Sequence, residues 1–302
     1  MRSDFDSYAL TAQIDPALTV QQNLNEIQQK QKPLILGRAF QIGELISSLS
    51  PDTPPDKDAV QAIFEQLFPS DPSSDSYGTA LHYADLITLC TEIAAIAPDG
   101  YTRVFSELFG EATSSAPQAL GRVAYVANSY TEQAFMELTG FIKQRRVAYF
   151  HHFDDVCQEV NNGLCEYGIL PVESTAEGIM PGLMRLIELY DLRICALCYV
   201  PTAQNGRTAF ALVRKSLPPM LPTAQHCLDF LFSPADSAET GQLICAAAFC
   251  GHTVQHAATY SGQDGELFRF RLSINPDTLY PFLLYLLLFC ADITPIGFYI
   301  IK

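Results

Sequence analysis

Three short segments carry polar side chains of types that could do chemistry. In "YVANSYTEQ", Asn128, Ser129 and Thr131 follow a strand-like run and open a helical one. Hydroxyls and free backbone N–H groups at a helix N-terminus suit a carboxylate or phosphate. The same residues also serve as ordinary N-caps. In "EYGILPVESTAEG", Glu173, Ser174 and Thr175 follow an apolar strand and Pro171. They suit a ligand at the strand end, or a turn and a cap. In "NGRTAF", Arg207 and Thr208 enter a strand. Arg207 could hold an anion or simply stand in solvent.

The elements that must position them can be read from periodicity. After about residue 120, strand-like and helix-like runs alternate: "RVAYVA", "YTEQAFMELTGFI", "RVAYFHHF", "DDVCQEVNNG", "CEYGILPV", "GIMPGLMRLIELYD", "LRICALCYV" and "RTAFALVRKS". Such alternation predicts an α/β unit with a mainly parallel sheet. In open α/β sheets ligands bind beyond the carboxyl ends of the strands. All three polar segments are expected there, and together they are a stronger signal than singly. The last 80 or so residues read βαββαβ, a ferredoxin-like order. Gly251 is expected to end the first helix of that unit, and "GQDG" to turn its hairpin. Residues 1 to about 115 read as helical and loosely patterned, interrupted by Pro33 and by Pro-rich loops.

Bulk properties set limits. The chain has 302 residues, enough for two or three domains. It is 48% hydrophobic and 17% charged, a globular balance. A net charge of −15 argues against a nucleic-acid partner, which needs a basic footprint. Nine scattered Cys and an N-terminus without an apolar leader pattern predict reduced thiols and a cytoplasmic setting. His151–His152 is a lone doublet, so neither a metal nor another cofactor is expected. "LYPFLLYLLLFCADI" is shorter than the ~20 residues of a membrane-spanning helix. It predicts a buried helix, covered by a sheet on one side and by a partner domain or subunit on the other.

The three segments, in their order, resemble the prephenate dehydratase family. That family has a Gly-x-x-Gly-Ser-Tyr-Ser turn after a strand, as "VANSYTEQ" follows one here. It has a "D-Y-G-V-L-P-I-E-N-S" strand end, similar to "EYGILPVES", then a Gly and a "YDLL" helix, similar to "ELYDLRI". It has a late Thr-Arg-Phe motif, similar to "RTAF". The resemblance covers residues from about 120 to 302 and implies a fold of several α/β and α+β domains. The helical region 1–115 would correspond to a chorismate mutase-like domain. Residues 120–217 would form a periplasmic-binding-protein-like α/β lobe, and 222–302 an ACT-like domain through which copies pair into a homo-oligomer. It implies turnover of prephenate to phenylpyruvate, water and carbon dioxide. Thr208 would be the catalytic threonine. Asn128, Ser129, Thr131, Glu173, Ser174, Thr175 and Arg207 would hold the substrate, or a small aromatic or amino-acid ligand.

Several positions depart from the family pattern. Ser174 stands where the family has Asn, and Ala209 follows Thr208 where it has Arg. Arg207 precedes Thr208, and side-chain alternation is expected to turn it to the opposite face. The first turn lacks both glycines. Residues 175–206 are too few for the family's second lobe. The N-terminal third is poor in the cations that a helical chorismate mutase uses, with Arg38 its one candidate ligand. The ACT-like segment has "SAETGQL" and "AATYSG" where the family binds phenylalanine. Two expectations follow: a non-catalytic relative that binds a small ligand or a partner enzyme, or a working dehydratase whose site is completed from elsewhere.

Overall fold

The computed structural model describes residues 36–37, 39–40, 42–44, 76–110, 119–202, 206–233, 237–261, 266–290 and 293–302. Most of the region before residue 76, residues 111–118, the "GQDG" turn and Arg38 lie outside them. Two helices come first, α1 (Ser76–Ile96) and α2 (Tyr101–Phe109). The lobe follows: β1 (Arg122–Val126), α3 (Ser129–Leu138), β2 (Arg146–Phe150), α4 (Phe153–Asn161) and β3 (Tyr167–Ser174). It continues with β4 (Gly178–Ile179), α5 (Pro181–Leu189), β5 (Arg193–Pro201) and β6 (Arg207–Arg214). The C-terminal unit is β7 (His226–Phe232), α6 (Ser237–Phe249), β8 (Thr253–Ser261), β9 (Glu266–Ser273), α7 (Leu279–Phe289) and β10 (Ile293–Ile301).

The strands form one sheet in the order β2-β1-β3-β6-β5-β10-β7-β9-β8, with β4 beside β3. Its β10-β7-β9-β8 portion, with the chain order βαββαβ, has the connectivity of a split βαβ unit. The expectation of a mainly parallel sheet is corrected. Only β2, β1 and β3 run parallel as a group. β6 lies antiparallel between β3 and β5, because β5 leads into it through a short connection rather than a crossover helix. β10 then pairs parallel with β5 and joins the two halves of the sheet.

Both sheet faces are apolar, for a reason visible in the strands. "RICALCYVP" and "HCLDFLF" are almost wholly apolar, as strands covered on both sides must be. On one face α3 packs over Tyr125, Ile169, Cys198, Phe210 and Leu212. On the other, α4 and α5 cover Leu170, Val172, Leu197, Ala209 and Ala211. Helices α1, α2, α6 and α7 share a core with Leu228, Phe230, Phe270 and Phe298 of the C-terminal strands. The apolar helix α7 is therefore buried within the chain: α1 and α2 pack against it, and Phe282, Leu283 and Leu284 are fully enclosed. Of the two covers expected for it, helices of the same chain lie on the second side.

Gly251 ends α6 as expected. Its φ of +73° lies where residues with a Cβ are strained. Its N–H donates to Ala248 O and that of His252 donates to Ala247 O, the two bonds of a Schellman cap. Among the described residues no helix is long and apolar enough to cross a membrane.

Candidate functional site

The carboxyl ends of β1 and β3 and the start of β6 lie at one end of the sheet, because β1 and β3 are parallel and β6 is antiparallel to β3. The structure thus gathers all eight candidate residues at one rim. What their polar groups do there differs. Asn128 is the N-cap of α3: its Oδ1 accepts from Tyr130 N and Thr131 N, both at 3.0 Å. Thr131 is fully buried, donates from Oγ1 to Val126 O at 2.6 Å and accepts from Asn128 N at 3.1 Å. These are the reciprocal bonds of a capping box, and they occupy the donors an anion would need. Ser129 is exposed at the first turn.

At β3 and β6, Ser174 pairs with Thr208 across the ladder. Ser174 Oγ accepts from Glu177 N at 2.9 Å and so closes the β3–β4 turn. Thr175 is bonded twice to Arg207, by backbone N to O and by Oγ1 from Arg207 N, each at 2.9 Å. The side chain of Thr208 has no hydrogen-bond partner among the described residues.

A β-bulge decides which way these side chains face. Pro171 pairs with Phe210 and Glu173 with Ala209, so Val172 is the extra residue. Pro171 has no N–H to give the ladder, which makes this a cheap place to interrupt it. The bulge re-aims Glu173 onto the α4/α5 face, where Val172 and Ala209 also lie. Ser174 and Thr208 return to the α3 face, which Phe210 and Leu212 share. Arg207 shares its face with Ala209 and Ala211, since alternation holds through β6. Arg207 therefore stands on the face opposite Thr208, as alternation requires. Its parity equals that of position 209, so the guanidinium stands two residues nearer the rim on the same face.

Glu173 leads into a cluster that the sequence reading missed. Arg269 of β9 donates from Nε to Asp229 Oδ1 at 3.0 Å and from Nη2 to Oδ2 at 2.6 Å. Tyr299 of β10 donates to the same Oδ2 at 2.6 Å. Arg271 donates from Nε to Tyr299 OH at 2.9 Å, from Nη1 to Tyr199 OH at 3.3 Å and from Nη2 to Glu173 Oε2 at 3.2 Å. Asp229 and Arg269 are wholly enclosed, and Arg271 and Tyr299 nearly so. In a flat sheet, β3 and β9 would be five strand spacings apart, about 24 Å. A Glu and an Arg side chain cannot bridge that, so the sheet coils toward this face and closes around the cluster.

The electrostatics follow from two cations matched to two anions. Burial works to raise the Asp229 pKa, but Arg269, then Arg271 and Tyr299, hold it below the ordinary carboxylate value. Burial also opposes the charge of both arginines, and the anions around them outweigh it and raise their pKa values. Burial, then Asp229, pushes the Tyr299 hydroxyl well up. His256 is held below its ordinary value by burial, with Arg271 and Arg269 acting the same way against Glu173 and Asp229. Two polar atoms there have no hydrogen-bond partner among the described residues, Arg269 Nη1 and His256 Nε2. All nine cysteines are free. Burial pushes Cys157 and Cys250 up to about 12, which removes them as nucleophiles at neutral pH.

One signal could have found the cluster. Asp229 interrupts an otherwise apolar strand, and a buried carboxylate needs a cation. "LFRFRL" offers two arginines on a single strand face. Read alone, that alternation looks like a solvated face.

The prephenate dehydratase family model matches residues 126–205. The match contains the capping box and the Glu173–Thr175 segment and stops before Arg207 and Thr208. No curated protein matches the sequence. Among solved structures, prephenate dehydratase from Streptococcus mutans is similar over 60% of this chain and 98% of that one, at 16% identity and a TM-score of 0.50. A protein described as a novel type of quorum-quenching acylase is similar over 60% and 95%, at 16% identity and 0.49. Prephenate dehydratase from Arthrobacter aurescens, in complex with L-Phe, is similar over 59% and 90%, at 11% identity and 0.47. At these identities the likeness is one of fold.

Proposed function

We propose, from the family-model match over residues 126–205, that this chain is a non-catalytic member of the prephenate dehydratase family that binds a small aromatic or amino-acid ligand. One observation carries this reading: among the described residues, 175–206 contribute only β4, α5 and β5, all of them part of the single sheet or packed on it. No chain there could form an opposing wall. A site open on that side cannot exclude water or pre-organise the surroundings of a leaving group. Removing one such donor alone costs roughly 10²–10³ in rate. The capping box and the β3–β4 turn support the same reading, because they bind Asn128, Thr131 and Ser174 to their own backbone.

On this reading 1–115 is a helical domain, 120–217 the ligand-binding lobe and 222–302 an ACT-like unit that pairs with a second copy in the cytoplasm. The split βαβ connectivity supports the last assignment, and β8, which ends the strand order, offers an edge for pairing.

A second reading is a working dehydratase completed by another chain or by residues before 76. What favours it is Thr208, whose side chain has no hydrogen-bond partner among the described residues and which pairs with Ser174 at the rim. Calorimetric titration with L-phenylalanine and with prephenate separates the readings. The expected result is saturable heat, weakened by Thr208→Val, with prephenate recovered unchanged. A protein that binds neither compound contradicts the proposed function.

A further inference from the structure

The cluster around Asp229 is not symmetrical in how firmly its members are held. Arg269 has two short bonds to Asp229, and Tyr299 bonds both Asp229 and Arg271. Glu173 has one bond of 3.2 Å to Arg271 and stands 4.0 Å from Arg269 Nη1, too far for a second. It is also the most exposed of the four charged members, its side chain 16% exposed against 0–3% for the others. Arg269 Nη1 is fully enclosed and, beyond that 4.0 Å approach, has no hydrogen-bond partner among the described residues. A buried guanidinium nitrogen without an acceptor is costly, and native interiors seldom leave one so.

Without Glu173, the arginines keep one anion between them. With His256 neutral, Arg269, Arg271 and Asp229 then sum to a net charge of +1. Arg269 Nη1 and Arg271 Nη2 are the atoms nearest the place that Glu173 Oε2 leaves. Two guanidinium donors beside an uncompensated positive charge suit one carboxylate, which can accept from both at once. A dianion would overshoot the charge and add to the desolvation cost.

We propose that Arg269 and Arg271 form a carboxylate-binding site on the concave face of the sheet, that Glu173 occupies it as an internal stand-in, and that a small monocarboxylate takes it by displacing Glu173. The bulge at Val172 makes the exchange local. Glu173 sits next to the rim, on a strand end held by the Thr175–Arg207 bonds, while the two arginines are fixed from the opposite half of the sheet. The inference does not rest on the family reading, and its probe carries no aromatic ring.

Thermal unfolding in sodium acetate, compared with sodium chloride at equal ionic strength, tests it. Glu173→Ala opens the site and is expected to gain about 3 °C or more from acetate over chloride at saturation. The unaltered protein should gain less, because its own carboxylate competes. Should Glu173→Ala fail to fold, Glu173→Gln leaves the same net charge with a smaller loss of shape, and is expected to gain in the same direction. Adding Arg271→Met to either variant restores charge balance through Arg269 and Asp229 and should abolish the acetate gain. Three outcomes overturn the proposal: no acetate gain in the Glu173 variants, a gain equal to that of the unaltered protein, or a gain that survives Arg271→Met.

Discussion

The rim of the lobe and the cluster on the concave face use polar side chains to opposite ends. At the rim, the side chains of Asn128, Thr131 and Ser174 bond backbone groups within five residues of themselves. In the cluster, Asp229 and Arg269 are 40 positions apart, Asp229 and Tyr299 70, and Arg271 and Glu173 98. Local bonds shape a turn or a helix end and leave the tertiary arrangement free. Long-range bonds fix how β3, β5, β7, β9 and β10 stand around one another. At those three residues the rim is secondary-structure capping, and the cluster adds to the β5–β10 pairing a second tie between the lobe and the C-terminal strands.

Substitutions can break this contrast, beginning where the effect is largest. Asp229→Ala leaves two enclosed guanidinium groups short of an anion and is expected to cost about 3–5 kcal/mol, read from urea unfolding. A loss below 1 kcal/mol would mean that the cluster does not hold the halves together.

Acid offers a second test. Burial lowers the His252 pKa from 6.5 to about 4, and its Nδ1 accepts from Asn275 N at 2.9 Å. The unfolded chain therefore binds the extra proton between those two values, and stability rises with pH across that window. It is complete above pH 6.5 and falls by about 3 kcal/mol on acidification to pH 4. Asp229 behaves differently. Its depressed pKa keeps its contribution in place above the ordinary carboxylate value, and that contribution fades only as pH drops through the lower folded value. His252→Gln should flatten the profile between pH 6.5 and 4. If the slope persists unchanged, the acid-labile groups lie elsewhere and the cluster becomes the first suspect.

Effects at the rim should be smaller. Thr131→Val preserves shape and removes the hydroxyl that bonds Val126 O and Asn128 N, for about 1 kcal/mol. The loss should be the same with and without ligand, since the hydroxyl serves the helix cap. Arg207→Ala, at an exposed strand start, should change stability by less than about 0.5 kcal/mol. A measurable weakening of ligand binding by Arg207→Ala would assign its guanidinium to the ligand.

The contrast also explains what the sequence made legible. Strand and helix runs, the order βαββαβ, the cap at Gly251 and the N-cap at Asn128 all depend on neighbours in the chain, and each is readable from a short window. The antiparallel place of β6 depends on how β5 connects to it, and alternation of elements alone suggested the wrong direction. The facing of Glu173 depends on one extra residue at Val172, which no periodicity reveals. The cluster depends on coiling of the whole sheet, and only the lone Asp229 in an apolar strand hinted at it. The apolar helix α7 read equally well as an interface or as core until α1 and α2 were seen against it.

Turnover of prephenate by the purified chain, followed as phenylpyruvate absorbance in alkali, tests the functional account most directly. The account predicts no phenylpyruvate above the uncatalysed rate for the unaltered protein and for Thr208→Ala alike. Turnover that the unaltered protein sustains and Thr208→Ala abolishes would contradict it, and would make the rim an active site.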